Sequence, residues 1–196
     1  MKEFIRLKEY LKEGTLVSRY NTFVAGLLGA SSHFLLYFTY KYILHLPYEN
    51  IWLRLIATCF CISLMFIHRL PSSFRPYLSY YWHFTLTLSL PFIFTVSLIM
   101  NNFNELWLYS EIAMVFILMM FVPNWLMFTI DLSLGIVGAI AFYFLSTPHI
   151  TLNPTFNIPV YSIVMAFSIF AGYILSLSNW KSLQEMERQK AEEKHR

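Results

Sequence analysis

Six apolar stretches, each close to the length of a membrane-crossing helix, follow one another along a chain of 196 residues. They run at about Tyr20–Leu44, Ile51–Ile67, Tyr80–Met100, Leu106–Val122, Trp125–Leu145 and Ile158–Leu177. A bilayer core takes roughly 20 apolar residues per helix. Six spans therefore use most of the chain and leave no room for a separate soluble domain. Charge supports this: only 13% of residues are charged, where a soluble domain carries about 25%. The expected fold is all-α, a polytopic six-helix transmembrane bundle. Its parts are a cytoplasmic N-terminal segment over residues 1–19, a six-span domain over 20–177 and a cytoplasmic helix over 178–196.

Turn residues punctuate the stretches. Pro47–Asn50, His68–Pro76, Asn101–Glu105, Pro123-Asn124 and Ser146–Asn157 read as connections. Pro91 falls inside the third stretch and predicts a kink there. Gly26 and Gly29 in the first permit close helix contact. The opening residues, Met1 to Arg6, lack the apolar core of a secretory signal. Basic residues set the orientation. Twelve of the 14 Lys and Arg fall on one side of the six-span arrangement, and only Lys41 on the other; Arg54 lies within a span. Both termini are therefore expected in the cytoplasm, in the inner membrane of a bacterium. The same asymmetry accounts for the net charge of +3 without a nucleic-acid partner, and it favours anionic lipid at the basic ends.

Three ionisable residues fall at membrane depth: Arg54, Glu111 and Asp131. Each costs about 2.5–3.5 kcal/mol at a helix centre, so each calls for a partner or water. Arg54 lies about 5 Å and Glu111 about 8 Å below the outer surface, by helical rise. An Arg54–Glu111 ion pair is therefore one expectation, and snorkelling of Arg54 to head groups the other. Asp131 enters from the cytoplasmic side and suits a hydroxyl or amide on a neighbouring helix, in a structural more than a transport role.

Trp107, Ser110, Glu111 and Met114 recur at helical spacing and share one face of the fourth span. An aromatic slab, a hydroxyl and a carboxylate suit a small amphipathic ligand; ordinary helix packing is the plainer alternative. No pair of histidines has the spacing of a helix-borne metal site, so no metal or other cofactor is expected. Cys59 and Cys61 point about 200° apart on a helix and read as packing residues. No metalloprotease, nucleophile-elbow or phosphate-loop motif is present.

Pro47-Tyr48-Glu49-Asn50 followed by Leu53-Arg54 resembles the first outer turn of the CqsS-type quorum-sensing histidine kinases, with LqsS-type receptors in the same broad group. The resemblance continues through Leu27-Leu28-Gly29, Arg69-Leu70-Pro71, Arg75-Pro76-Tyr77 and Leu90-Pro91-Phe92. It takes in Trp107-x-x-Ser110, Gly172 and Asn179, and covers about residues 21–179. It implies a six-span receptor for α-hydroxyketone autoinducers, followed by a histidine-kinase core that would dimerise. The matching ligand-binding positions are Trp107 and Ser110 on span four and Phe167 and Leu175 on span six. Related receptors can carry cysteine where Leu175 stands, so the leucine bears on ligand tail length. This chain holds no kinase core: His195 precedes only Arg196 and lacks the phosphoacceptor motif. Trp180–Arg196 reads as the helix leading toward that core. Two other readings stand beside the receptor: a small transporter or channel using Arg54, Glu111 and Asp131, and a membrane-embedded enzyme, which the missing motifs disfavour.

Overall fold

The computed structural model describes residues 19–146, 159, 161–175 and 178. The expected N-terminal segment, the 147–158 connection and most of the 178–196 helix lie outside the described residues. Among the described residues all regular structure is helical, with no strand. The helices are α1 (Arg19–Ile43), α2 (Ile51–Arg69), α3 (Leu78–Met100), α4 (Glu105–Phe121), α5 (Trp125–Ser146) and α6 (Tyr161–Leu175). By length and apolarity α1, α2, α3 and α5 can each cross a bilayer. The exterior is correspondingly apolar, with Leu35, Trp52, Phe84, Met120 and Leu145 all exposed. Together these features describe a membrane helical bundle.

Three of the connections end in an asparagine that starts the next helix. The Asn50 side-chain oxygen accepts from the backbone N–H groups of Trp52 (3.0 Å) and Leu53 (3.3 Å). Asn104 does the same for Leu106 at 2.8 Å, and Asn124 for Leu126 and Met127 at 3.1 and 3.2 Å. Each removes orphan donors of a first turn that apolar surroundings would otherwise leave unpaired.

The middle of the bundle belongs to α3. Two thirds of the residues in its most apolar stretch are buried, against about a fifth in α1 and α2 and a third in α5. Pro91 is accommodated by a π-helical turn over Leu88–Phe92. Gly135 of α5 lies directly against it: a Cβ there would stand 2.5 Å from the Pro91 Cβ and Cγ. A second close approach joins α1 to α2, where a Cβ on Gly26 would fall 2.5 Å from the Cys61 carbonyl oxygen. The expected small-residue contact of the first span is thus made with the second.

At one end of α3, Asn101 fastens the α1–α2 connection. Its amide oxygen accepts from the Tyr48 N–H, and its amide nitrogen donates to the Tyr48 carbonyl, both at 3.0 Å. The following residues, Asn102 and Phe103, have φ of 52° and 54°. That conformation suits asparagine but strains phenylalanine, and it turns the chain into α4. Asn101→Ala should cost about 0.5–1.5 kcal/mol for each bond lost, because two half-buried backbone groups of Tyr48 lose their partner. Thermal unfolding in detergent reads this as a clear fall in midpoint.

Candidate functional site

A cavity of about 460 Å³ lies between α1, α2, α3 and α4. Leu36, Leu86, Leu90, Phe94, Met114 and Phe121 supply much of its apolar wall. Its volume falls within the range of small-molecule sites, roughly 300–1,000 Å³. Several wall hydroxyls serve their own helices: Ser31 donates to the Leu27 carbonyl, Ser32 to Gly29 and Ser89 to Thr85. Tyr40 and Ser110 differ, since their oxygens meet across helices at 2.6 Å. This pair puts a polar end on an otherwise greasy space.

The π-helical turn Thr39–Ile43 at the end of α1 sets Tyr40 in place, and Leu46 N–H closes back on the Tyr40 carbonyl at 2.9 Å. The Tyr40 ring packs on Trp107, centroid to centroid 4.6 Å. Trp107 is fully buried, also meets Phe94 edge-on at 6.0 Å, and has no hydrogen-bond partner for Nε1 among the described residues. It stands behind Tyr40 and is not part of the cavity wall.

Beside Trp107 sits Arg54, with a partner other than the one expected. Its Nε and one terminal nitrogen reach the two Glu49 carboxylate oxygens at 3.3 and 3.0 Å, and the other terminal nitrogen lies 3.2 Å from His33 Nδ1. The guanidinium also faces the Trp107 ring at 5.4 Å and the Phe94 ring at 5.7 Å. Its side chain is 3% exposed, so snorkelling is excluded along with the Arg54–Glu111 pair. The physical reason is reach. Glu49 is on the turn just before α2 and can fork around a guanidinium five residues on, a geometry that satisfies several donors at once. Burial holds the Glu49 carboxyl above the usual carboxylate range, against the opposing pull of Arg54.

Glu111 instead takes the Thr95 hydroxyl at 2.6 Å and the Tyr161 hydroxyl at 3.5 Å, which joins α3, α4 and α6. Asp131 meets His83 Nδ1 at 2.7 Å, linking α5 to α3. The imidazole joins the kind of partner that was expected, since the Thr87 side chain of α3 also hydrogen-bonds the Asp131 carboxylate. No cluster of three or more metal-ligating side chains occurs among the described residues.

Of the four expected ligand-binding positions, Trp107 and Ser110 share one neighbourhood and the two on α6 do not join it. Phe167 is 66% exposed on the outer face of α6. Leu175 borders a separate space of about 320 Å³ with Phe116, Phe128 and Gly172. Sequence reasoning missed Tyr40, Glu49, His33 and His83. Only Glu49 left a signal, an acidic residue in a short turn just ahead of an intramembrane arginine.

Comparison with known proteins finds a likeness to a sensor kinase. Over 92 residues the chain is 32% identical to the CAI-1 autoinducer sensor kinase/phosphatase CqsS of Vibrio cholerae serotype O1. The match takes in 47% of this chain and 13% of the relative, so this chain corresponds to a small part of that protein. No protein-family profile matches the chain, and no solved structure does.

Proposed function

We propose that this chain is the membrane sensor domain of a two-component histidine kinase, responding to an α-hydroxyketone autoinducer in quorum sensing. The observation that carries the reading is the likeness to a sensor kinase, joined to an apolar cavity that ends in the Tyr40–Ser110 pair. In this reading the chain crosses the bacterial inner membrane six times with both termini in the cytoplasm. Ligand binding favours one helix arrangement over another, and α6 carries the difference through the 178–196 helix to a kinase core that works as a homodimer. Trp107 stiffens the polar end of the site. Ser110 touches the ligand head, while Phe167 and Leu175 act on tail preference or on the relay through α6. The transporter alternative has less support, because Arg54, Glu111 and Asp131 are each engaged by different local partners and do not share a path.

The test joins the chain to a histidine-kinase core and titrates α-hydroxyketones of graded tail length while autophosphorylation is measured. Potency should fall about 2–10-fold for Ser110→Ala, the worth of one neutral hydrogen bond, and more for Trp107→Ala. Leu175→Phe should shift tail preference. A kinase that ignores every α-hydroxyketone would sink the proposal. Reporter fusions at Tyr48 and Asn102 should read as external and one at Ser73 as cytoplasmic; the reverse pattern would overturn the topology.

A further inference from the structure

We infer that the α1–α4 cavity selects ligands whose polar head donates a hydrogen bond, and that Tyr40 sets this selectivity together with Ser110. The inference rests on the receptor reading for its biological meaning but not for its chemistry.

Hydroxyl hydrogens decide the matter. A serine hydroxyl has one hydrogen and two acceptor lone pairs, and a tyrosine hydroxyl has one hydrogen. Ser110 donates its hydrogen to the Leu106 carbonyl at 2.8 Å. The contact of 2.6 Å between Tyr40 and Ser110 must then be made by the Tyr40 hydrogen. Both hydrogens are committed, and what remains toward the cavity is acceptor capacity on the two oxygens. The serine hydroxyls at positions 31, 32 and 89 of the wall are tied to their own helices in the same way. A head group arriving here must therefore bring its own O–H or N–H. An ether or a diketone brings only acceptors, and would meet lone pairs or force a hydrogen bond to break.

The rest of the wall defines the tail. Ala25 and Tyr40 both border the cavity on α1, about 22 Å apart along the helix at a rise of 1.5 Å per residue. Between them the wall is mostly aliphatic and aromatic, broken by the serines at positions 31, 32 and 89 and by Cys61. The fitting occupant is a small molecule with a donating head at the Tyr40–Ser110 end and an unbranched alkyl tail lying along α1.

The experiment uses the whole chain in lipid nanodiscs and measures equilibrium binding of two matched pairs. One pair is decanol and decyl methyl ether; the other is an α-hydroxyketone and the α-diketone of the same skeleton. The donor of each pair should bind about 2–10-fold more tightly, the worth of one hydrogen bond. Ser110→Ala releases the Tyr40 hydrogen, so it should abolish or invert the preference. Tyr40→Phe leaves the Ser110 lone pairs in place, so it should keep the preference while changing affinity. Leu134→Ala, an exposed change on α5 that borders neither cavity, should change neither. Equal binding within both pairs, or a preference undiminished in Ser110→Ala, overturns the inference. If the alcohol–ether preference holds and no α-hydroxyketone binds, the autoinducer reading fails and the selectivity rule stands. If none of the four compounds binds, both fail.

Discussion

Glu49→Leu should destabilise the protein by about 3–5 kcal/mol, the usual loss when one member of a buried ion pair is removed, and by more than Arg54→Met does. The two side chains are 1% and 3% exposed, so neither survivor can turn to solvent. They differ in what they can do when left alone. A carboxyl stranded by Arg54→Met can take up a proton and become neutral. A guanidinium stranded by Glu49→Leu cannot lose one and, among the described residues, keeps His33 and two aromatic faces. Chemical or thermal unfolding in detergent of both single variants and the double variant forms a cycle. The coupling should be large for Glu49 with Arg54, while Glu111→Gln with Arg54→Met should be additive within a few tenths of a kcal/mol. The pair also gives a pH signature. Glu49 has a folded-state pKa above its unfolded value. Its contribution to stability is therefore fully present below the unfolded pKa and is lost as pH rises through the folded one. Glu49→Gln should flatten that part of the stability profile. Equal losses in the two single variants would show that the asymmetry of protonation has no bearing here.

Gly135→Val should be the most damaging small substitution on α5. The first added carbon already stands 2.5 Å from the Pro91 ring and 2.9 Å from the Phe92 backbone nitrogen. Neither obstacle is the free end of a side chain, so α3 and α5 must move apart. Overpacking of this kind costs about 1–3 kcal/mol and sometimes more, and here it also loosens the central helix that walls the cavity. Gly138→Ala is the control. A Cβ there meets only the edge of the Phe92 ring at 3.3 Å. The helix preference for alanine over glycine, about 1 kcal/mol, should offset that contact and leave stability near wild type. Thermal midpoints in one detergent compare the two; similar behaviour would mean that the α3–α5 contact can slide.

The positions of the helices were legible because their causes are local. Length and apolarity mark a membrane helix without reference to any neighbour, and the turn residues of Pro47–Asn50, Asn101–Glu105 and Pro123-Asn124 mark the connections; that three asparagines there cap the next helix came from the structure. The shared face of Trp107 and Ser110 was legible for the same reason, since helical spacing alone decides it. Pro91 announced an irregularity, but only packing against Gly135 showed how the helix absorbs it.

Residue order alone thus specifies an apolar all-helical chain, with the sequence and approximate ends of its helices and three ionisable residues that demand partners. Who those partners are was settled by packing in three dimensions. Depth along the membrane matched Arg54 to Glu111, yet depth is one coordinate of three. Rotation about each helix and the path of the connecting turn gave Arg54 to Glu49, Glu111 to Thr95 and Tyr161, and Asp131 to His83. The same two missing coordinates placed Ser110 opposite Tyr40 of α1 and sent Leu175 to a different space. A period of 3.6 residues fixes which side chains share a face; it does not say which helix that face will meet.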